Sequence, residues 1–197
     1  MPPNEPGADH RRRLLQAMGF TAAEKGLAAV TIADVVREAG VSKRTFYEHF
    51  GSKEECFLAL YRAVSASALT TLKTAVAADR PWQQQLKEAL NAYLTHMATS
   101  PELLRTLFVE IQHLGDAGAQ ARRTVMTELA DFLVATLARG TRSEEEGRID
   151  FALALAAVGG INELILQAVE QGKAAKLPEM TSTASEVVLR LARPVHE

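Results

Sequence analysis

Lys43, Arg44, Thr45, Tyr47 and His49 place five hydrogen-bonding or cationic side chains within seven positions. Such groups donate to phosphate oxygens and to the edges of bases. Phe46 and Phe50 stand four residues apart in the same stretch, so on a helix they share one face and point inward. A nine-residue helix with donors on one side and aromatic anchors on the other fits a DNA major groove. Glu48 is repelled by phosphate, although it can accept from cytosine N4, and no favourable contact is assigned to it. Enzyme chemistry finds no comparable cluster. Glycine-rich phosphate loops of standard spacing are absent. His10, His49, His96, His113 and His196 are scattered, with no pair at helical spacing to build a metal face. Cys56 is the single cysteine and reads as a small core residue beside Phe57. No catalytic residue, metal or cofactor is expected, and the chain is not read as an enzyme.

The elements that must position these donors are legible. Thr31 is a good N-cap for a helix reaching Ala39, with Val30 and Val35 at the two positions of a hydrophobic staple. Ile32, Val35, Val36 and Ala39 follow the spacing of one helix face. Gly40 allows the positive φ of a sharp turn. Ser42 then caps the next helix, to Phe50, so that helix leaves at a steep angle. Two short helices joined by Ala39-Gly40-Val41-Ser42 form a helix-turn-helix plan. The competing arrangements are a buried helical hairpin in some other α protein, with Tyr47 and His49 half-buried and Lys43 and Arg44 a solvated face, and an all-α protein that uses the hairpin for protein contacts. A preceding helix is expected over about Asp9–Lys25. Its His10-Arg11-Arg12-Arg13 start is a solvated first turn or a basic arm for a minor groove.

Thr31, Ala39-Gly40-Val41-Ser42, Thr45-Phe46-Tyr47-Glu48-His49-Phe50 and Lys53 together resemble the TetR family of transcriptional repressors. About forty residues carry the resemblance. It implies that Thr31 and Ser42 cap helices and touch phosphate. It implies that Tyr47, His49 and Lys53 hold the DNA backbone, and that Lys43, Arg44 and Thr45 meet base edges or adjacent phosphates. It further implies a repressor that binds a palindromic double-stranded operator and is released by a small apolar or amphipathic effector.

The whole chain has 197 residues and a formal net charge of -2, with 47% hydrophobic and 23% charged residues. That composition suits a folded chain and rules out a bulk polycation. Residues 1–53 hold eight Lys/Arg against six Asp/Glu, so the front is mildly basic and the rest mildly acidic. Helix signals dominate and predict an all-α chain of about nine helices. The expected organisation is a disordered tail over 1–8, a three-helix DNA-binding domain over 9–53 and a helical ligand-binding and dimerisation domain over 54–197. Later helices are expected over Ser52 to about Ala78, 81–99, 101–114, Ala119–Ala138, Ser143–Gln171 and Thr181–Ala192.

One recognition helix covers few bases, and two-fold dimers solve this by reading two half-sites. Ala152, Ala156 and Gly160 recur every fourth residue and allow close helix approach. Together with Ile161, Leu164, Ile165, Ala168, Val187, Val188 and Leu191 they are expected at a homodimer interface. The family resemblance implies that the last two helices pair with their copies there. It also implies an effector pocket among the middle helices, for which Tyr93, His96, Met97, Phe108, Gln112, Phe132 and Asn162 are candidates. The same residues serve equally well as ordinary core. The polar Met1–His10 start lacks a signal-peptide core. Asn162, Glu163 and Gln167 interrupt the apolar run from Phe151 to Val169. A cytoplasmic protein without membrane contact is expected.

Overall fold

A computed structural model describes residues 6–76, 80–140 and 149–192. Among these residues the chain forms nine α-helices and two 3₁₀ segments, with no strand. The helices are α1 Pro6–Lys25, α2 Ile32–Ala39, α3 Lys43–His49, α4 Lys53–Thr74, α5 Trp82–Ala98, α6 Pro101–Glu110, α7 Gly115–Gly140, α8 Phe151–Glu170 and α9 Thr181–Leu191. The 3₁₀ segments are Ile111–His113 and Ala174–Met180. The all-α expectation holds.

Several boundaries move. The expected tail is shorter, because Pro6, Gly7 and Ala8 already belong to α1; residues 1–5 lie outside the described residues. Proline suits a first helical turn, where its missing N–H has no helical partner. Helix α4 ends at Thr74, and the expected end at Ala78 lies outside the described residues. Helix α7 starts at Gly115 instead of Ala119. Gly118 makes that start possible, since a Cβ there would sit 2.1 Å from the Ile111 carbonyl oxygen. Helix α8 begins at Phe151, capped by Asp150, whose carboxylate accepts from the Leu153 amide at 2.8 Å. The expected start at Ser143 lies outside the described residues.

The chain divides into two compact units, and the division does not fall at Lys53. The first comprises the residues up to Val64 together with Arg105–Ala121. The second comprises Ser65–Leu104 and the residues from Arg122 onward. Helix α4 is unbroken across Val64 and contributes residues to both.

In the first unit, α1 packs on α2 and α3. Leu14, Met18, Val35, Phe46, Cys56 and Phe57 are fully buried there. Burial pushes the Cys56 thiol up to about 12, so it stays protonated and unreactive. In the second unit, α5, α8, α9 and the 174–180 segment pack together. The Thr181 hydroxyl donates to the Asn91 amide oxygen at 3.3 Å, tying α9 to α5. Helix α8 has the length and apolar composition of a membrane span, yet Ala154, Ala157, Val158, Ile161, Ile165 and Val169 are buried within the unit.

Candidate nucleic-acid interface

The hairpin of α2 and α3 is built from caps. The Thr31 hydroxyl accepts from the Asp34 amide at 3.2 Å, and the Asp34 carboxylate accepts from the Thr31 amide at 3.0 Å. This reciprocal pair satisfies two amides that the helix leaves open. Asp34 also accepts from Lys25 Nζ at 2.7 Å and Arg37 Nη2 at 2.9 Å. The hydrogen bonds from Lys25 first, and then Thr31, hold the Asp34 carboxyl well below the usual carboxylate range.

Gly40 ends α2 at φ 62°, ψ 40°, in the left-handed region. Its amide donates to Arg37 O at 3.2 Å, and the Val41 amide donates to Val36 O at 3.0 Å. The chain therefore reverses within two residues and presents Ser42. The Ser42 hydroxyl accepts from the Thr45 amide at 3.0 Å and starts α3.

Helix α3 is anchored from below. Phe46 is 0% exposed and Phe50 is 3% exposed, with ring centroids 5.8 Å apart. Tyr47 packs edge-on against Phe46 at 5.6 Å yet is 58% exposed, so its phenol points outward from a fixed ring. Ser42, Lys43 and Arg44 are exposed, and Thr45 and His49 are half-buried. Thr31 is exposed as well. The structure thus gathers Ser42, Lys43, Arg44, Thr45, Tyr47 and His49 on α3 and its cap.

Three features escaped the sequence. Glu48 pairs with Arg44 at 3.2 Å, so the acid is answered within its own helix. Arg13 turns inward and its Nη2 donates to the carbonyls of Ala39 and Gly40. Arg11 lies over the Phe50 ring at 5.6 Å. A further feature concerns an expected residue. Lys53 Nζ donates to the carbonyls of Leu27, Ala28 and Val30 at 2.9, 2.9 and 2.8 Å. An ammonium has three donors, and all are used inside the protein.

The candidate effector residues are distributed over both units. In the second unit Tyr93, Phe132 and Asn162 line an apolar cavity of about 50 Å³ with Leu86, Leu133 and Val158. An open groove of about 970 Å³ shares Phe132 and Thr136 with it and carries Lys73, Glu128 and Asp131. His96 and Met97 line neither. The His96 ring Nε2 faces the Ser67 hydroxyl at 3.3 Å. Phe108 and Gln112 belong to the first unit, because α6 passes into it after Leu104. Gln112 is exposed and donates to the Phe108 carbonyl at 3.0 Å. Among the described residues no three metal-ligating side chains converge.

The expected dimer residues also split. Ile161, Ile165 and Val188 are buried and line the cavity, so they face inward. Ala156 and Gly160 are exposed, and a Cβ on Gly160 would meet open space. Leu164, Ala168, Val187 and Leu191 are half-buried. Phe151 and Leu153 are 43% and 38% exposed at the start of the same helix.

Residues 21–60 match the family model for bacterial regulatory proteins of the tetR family. The chain is 26% identical over 123 residues to the HTH-type transcriptional activator FasR of Mycolicibacterium smegmatis, covering 62% of this chain and 56% of that one. It is 28% identical over 105 residues to the uncharacterized HTH-type transcriptional regulator YerO of Bacillus subtilis, covering 52% and 36%. The aligned region thus spans about half the length of these relatives or less. In fold the chain is similar to the transcriptional regulator FadR of Bacillus subtilis, solved in complex with stearoyl-CoA. The TM-score is 0.76 at 15% identity, over 94% of this chain and 99% of that one.

Proposed function

On the premise that the chain belongs, through residues 21–60, to the tetR family of bacterial regulatory proteins, we propose that it is a cytoplasmic DNA-binding repressor. It acts as a homodimer on a palindromic operator. The observation that carries this reading is α3. It is a short helix whose Phe46 and Phe50 are buried while Lys43, Arg44 and Tyr47 project from the other face. Long donors early on such a helix reach guanine N7 and O6 in the major groove. Thr31, Ser42, Thr45, Tyr47 and His49 fix register through phosphate oxygens and carry little base information. Arg44 is the base reader, and Glu48, one turn on, holds its guanidinium in place.

The open face of α8 supports a second copy as the partner. Leu153, Ala156 and Gly160 share an exposed face with small residues where a helix can approach closely. The half-buried Leu164 and Ala168 continue the strip, and Val187 and Leu191 of α9 flank it.

The effector is a small apolar or amphipathic molecule, held by the cavity around Tyr93, Phe132 and Asn162. A volume near 50 Å³ is well below the ~300–1,000 Å³ of a typical ligand site. Binding therefore selects an expanded state of the second unit, opening toward the groove at Phe132 and Thr136. FadR in complex with stearoyl-CoA is a protein of this fold that holds a ligand with an apolar tail. Coupling to DNA requires that the effector bind the DNA-incompetent state more tightly, since equal affinity shifts nothing. Helix α4, continuous across both units, is the covalent route for that coupling.

A mobility-shift titration with the DNA upstream of the chain's own gene tests the reading, alongside a reporter for the sign of regulation. Specific retardation that Tyr47→Ala abolishes, with a reporter that rises on deletion of the gene, is expected. Retardation untouched by Tyr47→Ala would move the interface off α3. A reporter that falls would make the protein an activator. Binding to a protein partner through α3, with no affinity for DNA, would favour the alternative of a protein-interaction module.

A further inference from the structure

The open groove of about 970 Å³ in the second unit differs in chemistry from the apolar cavity beside it. Thr70 and Lys73 line it from α4, one turn apart. Glu128, Asp131 and Thr136 line it from α7, and Gln85 from α5. All six belong to the second unit.

Nearly every polar atom these residues offer is an acceptor. The Thr70 hydroxyl donates to the Ala66 carbonyl and the Thr136 hydroxyl to the Phe132 carbonyl, both at 2.8 Å. Each hydroxyl proton is therefore spent on its own helix, and only lone pairs are left for a ligand. Gln85 is 6% exposed, and its amide nitrogen donates to the Arg80 carbonyl. A carbonyl can only accept, so that bond fixes which end of the amide is the oxygen. The Gln85 oxygen accepts from no described residue, yet it is not sealed inside the protein, so it opens on the groove. Glu128 and Asp131 add two exposed carboxylates that, among the described residues, form no ion pair. Lys73 is the cation of the lining, and one positive against two negative charges leaves -1. Arg80 contributes no further charge, because Glu88 pairs with it. An ammonium brings three donors and a positive charge to such a set. A carboxylate or phosphate brings no donor and is repelled by the two acids.

We propose that this groove holds the head of the effector, that the head is a protonated amine, and that its apolar tail passes Phe132 into the cavity. Phe132 and Thr136 line both spaces, so one molecule can occupy the two together. The proposal rests on the reading of the cavity as the effector site. It separates this chain from FadR of Bacillus subtilis, whose stearoyl-CoA has an anionic head.

Titration calorimetry of the full-length chain with n-octylammonium, 1-octanol and octanoate tests it, since the three share a tail and differ in the charge of the head. Octylammonium should bind most tightly and octanoate most weakly. Glu128→Gln combined with Asp131→Asn, both at exposed positions, should weaken octylammonium roughly fivefold, the scale of two exposed ion pairs, and leave octanol unchanged. Lys73→Met should tighten octylammonium by removing a like charge. Octanoate binding that exceeds octylammonium and is lost in Lys73→Met would overturn the proposal in favour of an anionic head. Octylammonium binding that the double variant leaves unchanged would overturn it too. Tail length tests the cavity separately. From hexyl- to heptyl- to octylammonium, affinity should rise about fourfold per methylene, the scale of a buried CH₂. That rise without a preference for the ammonium would keep the cavity reading and overturn the amine head. A preference for the ammonium without the rise would overturn the cavity as the seat of the tail. No binding by any probe would overturn both.

Discussion

Replacing Gly40 by alanine probes the turn that aims α3. Gly40 has φ 62°, where an L side chain costs roughly 1–2 kcal/mol. The new Cβ would also meet Arg13 Nη2 at 2.7 Å, the atom that donates to the Ala39 and Gly40 carbonyls. Arg13 is flexible and can withdraw, so the clash is relieved by giving up its hydrogen bonds. Charge-assisted bonds contribute about 1.5–3 kcal/mol when well sheltered. The Arg13 side chain is 39% exposed, which brings its share down to about 1 kcal/mol. Gly40→Ala should then destabilise the protein by roughly 2–3 kcal/mol. Arg13→Ala alone should cost about 1 kcal/mol. In the Arg13→Ala background nothing remains to displace, so Gly40→Ala should cost only the ~1–2 kcal/mol of backbone strain. The assay is urea unfolding of the four proteins, reading midpoints at constant m. A coupling of about 1 kcal/mol between the two sites is the signature. Strict additivity would show that Arg13 is not displaced. A cost for Gly40→Ala below about 0.5 kcal/mol would refute the left-handed turn itself.

The remaining predictions concern charge, assembly and acid. Lys43→Ala removes one exposed cation per subunit, so the slope of log operator affinity against log salt should fall by about 1.8 per dimer; an unchanged slope would place Lys43 away from phosphate. Ala156→Glu puts a charge on the exposed strip of α8, and sedimentation should show a folded monomer with weakened operator binding. Ile165→Glu instead buries a charge at a site that is 1% exposed, and should unfold the second unit in a thermal melt. Asp34 has a lowered folded-state pKa, so its contribution is complete above the ordinary carboxylate pKa near ~4 and is lost as pH falls through the folded value. The stability difference between wild type and Asp34→Asn should be flat from neutral pH down to about 5 and shrink in stronger acid. A difference that grows on acidification would contradict the hydrogen bonds drawn around Asp34.

The hairpin was legible because its signals are local. Thr31, Gly40 and Ser42 each act within three residues of their own position, and each does so in the structure. Phe46 and Phe50 were readable as anchors because four residues make one helical turn. What failed was information that requires a distant partner. Helix α8 starts at the Asp150 cap, which the local residue pattern did not single out. Helix α8 is apolar around most of its circumference, so no periodicity says that Ile165 faces in and Gly160 faces out. Phe108 falls on an apolar stripe, yet Leu107 of α6 and Ile111 just beyond its end are more deeply buried. Lys53 is the sharpest case. Its neighbours in sequence give no sign that the carbonyls of residues 27, 28 and 30 converge on its ammonium.

The central claim is that α3 reads DNA in two symmetric copies, with Arg44 in contact with bases. Selection of binding sites from random DNA by the full-length chain tests it most directly. Wild type should return a palindrome whose half-sites lie about one helical turn apart, near ~34–36 Å, or a multiple of that spacing. Arg44→Ala should return the same spacing with relaxed choice at one position of each half-site. That is the loss of about 1–3 kcal/mol of discrimination against the wrong base. No enriched sequence for wild type, or the same operator at the same stringency for Arg44→Ala, would contradict the account.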